Sequence, residues 1–314
     1  MDVIVSRKTP ETPDIVTVEL VSAQGCALPP FTAGAHVDVT LPGGMIRQYS
    51  LCNASDETHR YVLGVLRDPK SRGGSKALHD TVSEGDRLTI SAPKNLFPLI
   101  ENGRRSVLLA GGIGITPLLS MAERLSDLRL DFELHYFTRS AERTAFRQRL
   151  GASAFRDRVR YHFDDEGPAP DMPALIGAAE AGRHLYVCGP SGFMTAVLSA
   201  AKSLGWAEEQ LHSEAFSADL SPRESDDAFE VVLARRGRTL TVAKGETVIA
   251  AMEAAGVDHP ISCEQGVCGT CIVGLLEGIP DHRDMFLTPT EQAANKHFLP
   301  CCSRAKSARI VLDI

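Results

Sequence analysis

Four cysteines near the C-terminus, Cys263, Cys268, Cys271 and Cys301, follow the spacing C-x4-C-x2-C-x29-C. Three thiols on one short loop can wrap only part of a small inorganic core, so a distant segment must supply the fourth. Structural zinc sites usually take paired C-x2-C units, which this pattern lacks. A disulfide framework is also a poor fit, because 8 cysteines in 314 residues are too sparse for a stapled secreted domain. Two irons bridged by two sulfides need four thiolates at this spacing. The intervening Gly266 and Gly269 allow the backbone to approach the sulfurs, so amide N–H groups can stabilise the cluster's negative charge. Cys301 and Cys302 are adjacent, and spacing alone does not choose between them. Cys26, Cys52 and Cys188 have no metal-like spacing and read as small buried residues.

The spacing resembles that of plant-type ferredoxins, which implies a [2Fe–2S] cluster and single-electron transfer. The length is ample for two or three domains. The net charge of −7 gives no basic surface for nucleic acid. No apolar run is long enough to span a membrane, and the N-terminus lacks a charged-then-apolar leader pattern. A soluble, cytoplasmic protein without a nucleic-acid or membrane partner is expected.

Residues 1–103 read as short strands broken by Gly and Pro turns, at Val3–Ser6, Ile15–Ser22, His36–Leu41, Arg47–Leu51, Tyr61–Leu66 and Asp86–Ile90. That texture predicts a small antiparallel β-barrel. Over 104–217 strand and helix patterns alternate, with strands at Ser106–Ala110, Asp131–Phe137, Val159–Phe163 and His184–Cys188, which predicts an α/β Rossmann-like domain with a parallel sheet. Residues 218–227 are polar and contain Pro, as a linker would. Residues 228–314 hold a hairpin around Arg236-Gly237, a helix over Thr247–Ala255, the cysteine loop and a last strand at Arg309–Leu312. This is the layout of an α+β β-grasp ferredoxin domain, so the fold class is multidomain.

Arg47-Gln48-Tyr49-Ser50-Leu51 resembles the flavin motif of the ferredoxin–NADP reductase superfamily. The likeness implies that Arg47 meets the flavin phosphate, Tyr49 lies against the ring, Ser50 approaches N5, and Leu51 completes the cofactor-binding motif. Ser71-Arg72-Gly73-Gly74-Ser75 is similar to the superfamily's second phosphate loop. The run Gly111-Gly112-Ile113-Gly114-Ile115-Thr116-Pro117 lies between strand and helix, as a pyrophosphate cradle does, and resembles the nicotinamide-nucleotide loop of the same superfamily. Cys188-Gly189-Pro190 is similar to its C-G-P motif, whose cysteine faces the meeting point of nicotinamide and flavin. By the same likeness Phe216 is the aromatic gate over the flavin, with Glu214 beside it, and Arg139 stands where adenosine ribose or its 2′-phosphate is read, an arginine there suiting NADPH although the family mostly uses NADH. Ser50, Cys188, Glu214 and Phe216 are thereby the candidate catalytic residues.

The order of flavin barrel, nucleotide domain and C-terminal ferredoxin resembles the phthalate dioxygenase reductase family. Asp281-His282-Arg283-Asp284-Met285 and Cys301-Cys302-Ser303-Arg304 add to the likeness, and the latter favours Cys301 as fourth ligand. A Rieske role for His282 would need two histidines, whereas four cysteines already satisfy the irons, so a structural His hydrogen-bonded to Asp281 or Asp284 is expected. The resemblance implies FMN, NADH and a [2Fe–2S] cluster, with electrons delivered in transient encounters to a Rieske-type oxygenase. Delivery to another ferredoxin or a cytochrome, or a redox sensor without turnover, are the competing expectations.

Overall fold

The computed structural model describes residues 1–69, 73–168, 170–218, 220–221, 223–224 and 226–314. It divides into two compact units, Met1–Glu214 and Ala215–Ile314.

The first unit begins with strands β1 (Asp2–Thr12), β2 (Ile15–Ser22), β3 (His36–Thr40), β4 (Ile46–Ser50), β5 (Tyr61–Leu66) and β6 (Arg87–Ile90), with helix α1 (Gly74–Asp80) between the last two. They form an antiparallel sheet in the order β4-β3-β6-β1-β2-β5. A bridge from Leu51 to Leu63 ties its two edges together, which rolls the sheet toward a barrel. Alternate residues such as Val3, Val5, Val18, Leu20, Val37 and Val39 turn inward as the core. Strand β1 is longer than the expected Val3–Ser6. It runs on through Pro10, which is accommodated at an irregularity in the pairing with β2.

Five parallel strands follow: β7 (Arg105–Gly111), β8 (Asp131–Thr138), β9 (Val159–Phe163), β10 (Arg183–Cys188) and β11 (Leu211–Glu214). Their order is β11-β10-β7-β8-β9. The chain direction of growth reverses between β7 and β10, and such a switch point opens a crevice at the carboxyl ends of the strands. Helices α2 (Ile115–Asp127), α3 (Arg147–Ala152), α4 (Met172–Ile176) and α5 (Ser191–Ser203) connect them. Helix α2 buries residues on most of its circumference, as expected of a helix packed between two layers.

The second unit contains β12 (Phe229–Leu233), β13 (Arg238–Val242), α6 (Val248–Ala254), β14 (Val273–Glu277), β15 (Pro280–Asp281), α7 (Pro289–Ala294), β16 (His297–Phe298), β17 (Arg304–Ala305) and β18 (Arg309–Leu312). The main sheet runs β13-β12-β18-β14-β16, with β12 and β18 parallel. Thr247 caps α6 by accepting the Ala250 N–H, and Thr288 with Glu291 forms a capping box on α7. Val231, Leu233, Val248, Met252, Phe298 and Ile310 form the core between sheet and helix. The described part of the expected linker is not free chain. Ala218 and Asp226 are buried in this unit, while Asp219, Pro222 and Ser225 lie outside the described residues.

Candidate functional site

The end of β4 places Arg47 and Ser50 inside the barrel wall, both less than a tenth exposed, with Tyr49 half-buried against the core and Leu51 fully buried. A Cβ on Gly74 would come within 2.6 Å of the Arg47 stem, so Arg47 lies directly across the start of α1. Two motifs 27 positions apart are thus one surface, where a guanidinium and the Gly73-Gly74-Ser75 backbone can share an anion. The Ser75 hydroxyl accepts from the Asp68 N–H at 3.2 Å. Ser71 and Arg72 of this expected loop lie outside the described residues. Burial pushes the Tyr49 phenol up to about 12, opposed by Arg47, so it stays neutral.

Cys188 and Glu214 are paired neighbours at the ends of β10 and β11. The Glu214 carboxyl is pushed up to about 8 by burial, and the Ser50 hydroxyl only partly offsets this. Its Oε2 is buried without a hydrogen-bond partner among the described residues. The Cys188 thiol is fully buried, and burial, then the Glu214 charge, drive it well above the ordinary range. Three expected site residues from different segments therefore converge at the sheet's switch point. An orphaned carboxyl oxygen in this place fits a polar heterocycle, and the barrel motif beside it fits a flavin.

The glycine loop closes the same crevice. Gly111 ends β7, Gly112 follows it, and a Cβ on Gly114 would lie 2.2 Å from the Cys188 carbonyl oxygen, so only glycine permits this approach of loop to strand end. Thr116 and Pro117 are buried in the first turn of α2, where the Thr116 hydroxyl donates to the Ile113 carbonyl at 3.0 Å. Gly189 and Pro190 lead from Cys188 into α5. Arg139 is exposed just past β8, at the same edge of the sheet. Sequence reasoning missed Phe193, whose ring lies against Gly111 and packs on Phe137 with centroids 5.0 Å apart. Its place three residues after Pro190, on the first turn of the following helix, was the available signal. Phe216 is half-buried near the start of the second unit.

In the second unit the cysteine loop takes left-handed backbone at Glu264, Gly266 and Gly269, which turns successive peptides inward. The Gln265 N–H donates to Cys263 Sγ at 3.3 Å and the Thr270 N–H to Cys268 Sγ at 3.5 Å. The Cys263 thiol lies beside Cys268 and holds it below the ordinary thiol range, and the Cys271 and Cys302 thiols do the same for Cys301. Cys263 and Cys271 are raised in consequence. Among the described residues the thiols meet as two pairs, Cys263 with Cys268 and Cys271 with Cys301, and not as a closed group of three or four, and two pairs with amides aimed at sulfur suit the two irons of a binuclear cluster. Cys302 Sγ lies within reach of Cys301 and of the Gly266 backbone, and also contacts the Leu299 carbonyl at 3.7 Å and the Ser303 hydroxyl at 3.8 Å, so geometry alone does not separate it from Cys301. His282 Nδ1 lies 3.5 Å from Asp284 Oδ1, but neither ring nitrogen finds a hydrogen-bond partner among the described residues, so the hydrogen bond expected to Asp281 or Asp284 is not made. Cys26, expected to be buried, is exposed, because it sits in the turn after β2, while Cys52 is buried.

Residues 231–306 match the family model for a 2Fe-2S iron-sulfur cluster binding domain. The chain is 52% identical to vanillate O-demethylase oxidoreductase of Pseudomonas sp. (strain HR199 / DSM 7063) over 317 aligned residues, covering all of both chains. It is 40% identical to phthalate dioxygenase reductase of Burkholderia cepacia, across 96% of this chain and 93% of that one. A solved phthalate dioxygenase reductase structure superimposes with a TM-score of 0.81 at 39% identity, covering 100% of this chain and 98% of that one. This chain belongs to the phthalate dioxygenase reductase family. As a member of the phthalate dioxygenase reductase family it is an oxidoreductase, and membership implies a flavin beside the [2Fe–2S] domain and an oxygenase component as partner. No helix among the described residues is long and apolar enough to cross a membrane.

Proposed function

We propose that this protein is the NADH-dependent, FMN-containing reductase of an aromatic O-demethylase of the vanillate type, feeding a Rieske-type oxygenase in transient encounters. The observation that carries the reading is the convergence of Ser50, Cys188 and Glu214 at the switch point of the parallel sheet, with Arg47 lying across Gly74 nearby. Bound flavin and cluster supply the exchange of a two-electron donor for one-electron delivery.

The chain's own residues bind, orient and exclude water. Arg47, Gly73, Gly74 and Ser75 hold the flavin phosphate, and Tyr49 walls its ring, while Leu51 anchors the motif in the barrel core. Ser50 and the protonated Glu214 carboxyl present hydrogen bonds toward the reacting edge, and a neutral Glu214 avoids an uncompensated buried charge. Gly111, Gly112, Gly114, Thr116 and Pro117 take the nicotinamide nucleotide from one side of the crevice, and Cys188, Gly189 and Pro190 from the other. Arg139, exposed just past β8, takes the adenosine ribose. Cys263, Cys268, Cys271 and Cys301 hold the cluster, and their loop amides stabilise its charge.

Anaerobic NADH titration of the purified protein, with assays of iron and released flavin, tests this. The expected result is bleaching of both chromophores, about three electrons taken up per chain on the two-plus-one capacity of the cofactors, and a flavin that chromatographs as FMN. Zinc in place of iron, or no bleaching by NADH, overturns it.

A further inference from the structure

Phe146 is the N-cap of α3 and takes left-handed backbone, with φ 59° and ψ 14°. For a bulky side chain this is a genuine outlier, of the kind that persists only where its surroundings impose it. Its surroundings do so from three directions. The Phe146 N–H donates to Glu11 Oε2 at 2.9 Å, reaching from the nucleotide layer to β1 of the barrel. Three residues earlier Arg143 Nη1 donates to Asp14 Oδ2 at 2.8 Å, so the tip of the first hairpin grips the 143–146 turn twice. The Phe146 ring is 2% exposed and packs onto β5 at Gly64, where a Cβ would meet its Cζ at 2.8 Å. The same absent Cβ would meet Thr116 Cγ2 at 2.7 Å.

Gly64 is therefore the point where the barrel, the Phe146 ring and the first turn of α2 close on one another. Nothing in the backbone of Gly64 demands glycine, since it lies in a regular strand paired with Thr17. What demands it is the contact across the seam. We propose that Phe146, held in its left-handed conformation by the Glu11 carboxylate, is a positioning residue that fixes the separation between the flavin barrel and the nicotinamide loop at Thr116. The proposal rests on the functional reading above, in which these two elements carry the two reactants. Its consequence is kinetic, because reacting atoms must be held within a few tenths of an ångström, and a displacement of about 1 Å can cost roughly 100-fold in rate.

The test uses the full cofactor-loaded chain and follows flavin reduction by NADH in single turnover. The variants are Phe146→Ala, Phe146→Leu, Gly64→Ala and Glu11→Ala. Limiting rate, NADH dissociation constant and the long-wavelength absorption of the stacked nicotinamide and flavin are read separately. The expected result is a limiting rate lowered roughly 10- to 100-fold in Phe146→Ala and Gly64→Ala, with the dissociation constant changed less than about threefold and the stacking absorption weakened. Phe146→Leu, which refills most of the volume, recovers part of the rate, and Glu11→Ala loses rate in the same manner. Should Phe146→Ala fail to fold, Gly64→Ala and Glu11→Ala carry the same comparison. Limiting rates within about threefold of the unaltered protein, or a loss confined to the dissociation constant, overturn the wedge while leaving the functional reading intact. An unaltered protein that carries no flavin, or whose flavin NADH does not reduce, overturns both.

Discussion

The Ala218 N–H donates to the Gln265 carbonyl at 2.9 Å, inside the loop that carries three cluster cysteines. The same peptide unit turns its other side, the Gly266 N–H, toward Cys301 and favours its thiolate. Gly266 is wedged there, since a Cβ on it would lie 2.7 Å from Cys302 Sγ and 3.2 Å from the Ala218 methyl. Ala218→Pro removes the donor and one hydrogen bond worth about 1 kcal/mol. The expected outcome is a cluster reduced less readily, by up to about tenfold in equilibrium, because hydrogen bonds near the ligand sulfurs help set the potential. Spectroelectrochemistry measures it, and Ala218→Ser, which keeps the N–H, serves as the control.

The cysteines divide by role. Cys268→Ser is expected to abolish cytochrome c reduction while NADH still reduces the flavin, because the cluster is the exit route. Cys302→Ser is expected to keep the cluster, since the Cys301-Cys302-Ser303-Arg304 likeness assigns the ligand role to Cys301. Iron content and the visible spectrum of each variant decide the matter, and loss of iron in Cys302→Ser would exchange the assignments of Cys301 and Cys302.

Gly74→Ala drives a methyl into the Arg47 side chain, which is less than a tenth exposed and cannot swing into solvent without opening the barrel wall. Flavin affinity is expected to fall at least tenfold. Arg47→Lys is expected to fall as well, because an ammonium cannot reproduce the guanidinium fork. Recovery of flavin fluorescence on dilution measures both.

Glu214 links stability to pH. Its folded pKa of about 8 stands above the ordinary 4.5 of a carboxyl. Between those values the folded chain keeps a proton that the unfolded chain has released, so stability falls as pH rises from about 4.5 and levels off above about 8. Glu214→Gln is expected to flatten the melting temperature across this window. An unchanged slope would show that the carboxyl ionises normally.

Asp226 sits 3% exposed among guanidinium groups. Arg283 Nη1 donates to its Oδ2 at 3.1 Å, and Arg304 Nε lies 3.8 Å from its Oδ1. Asp226→Ala leaves Arg283 with Asp281 as its remaining carboxylate and removes charge-assisted hydrogen bonds, at an expected cost of about 1.5–3 kcal/mol. Urea unfolding followed through cluster absorbance measures the loss, and a change under about 1 kcal/mol would mean that solvent reaches the network.

Much of this was local and therefore legible. The cysteine spacing, the glycine run between an apolar strand and an amphipathic helix, and Arg47 through Leu51 each lie in one short segment, where residue type and spacing dictate chemistry. The turn at Gly237 was likewise written in a single position, whereas Thr247, read as the first helical residue, is the cap that precedes Val248. By itself the sequence determined the chemistry, naming thiolates, anion-binding glycines and aromatic walls. The tertiary structure alone decided their meetings. Glu214 becomes a neutral acid only because β11 lies beside β10 and buries it near Ser50, and Gly64 matters only because Phe146 and Thr116 arrive there from more than fifty positions away. The polar segment read as linker gains its buried ends from partners at Gln265 and Arg283. Burial and long-range packing depend on which strands become neighbours, and that is set by the whole chain's topology, which no local pattern encodes.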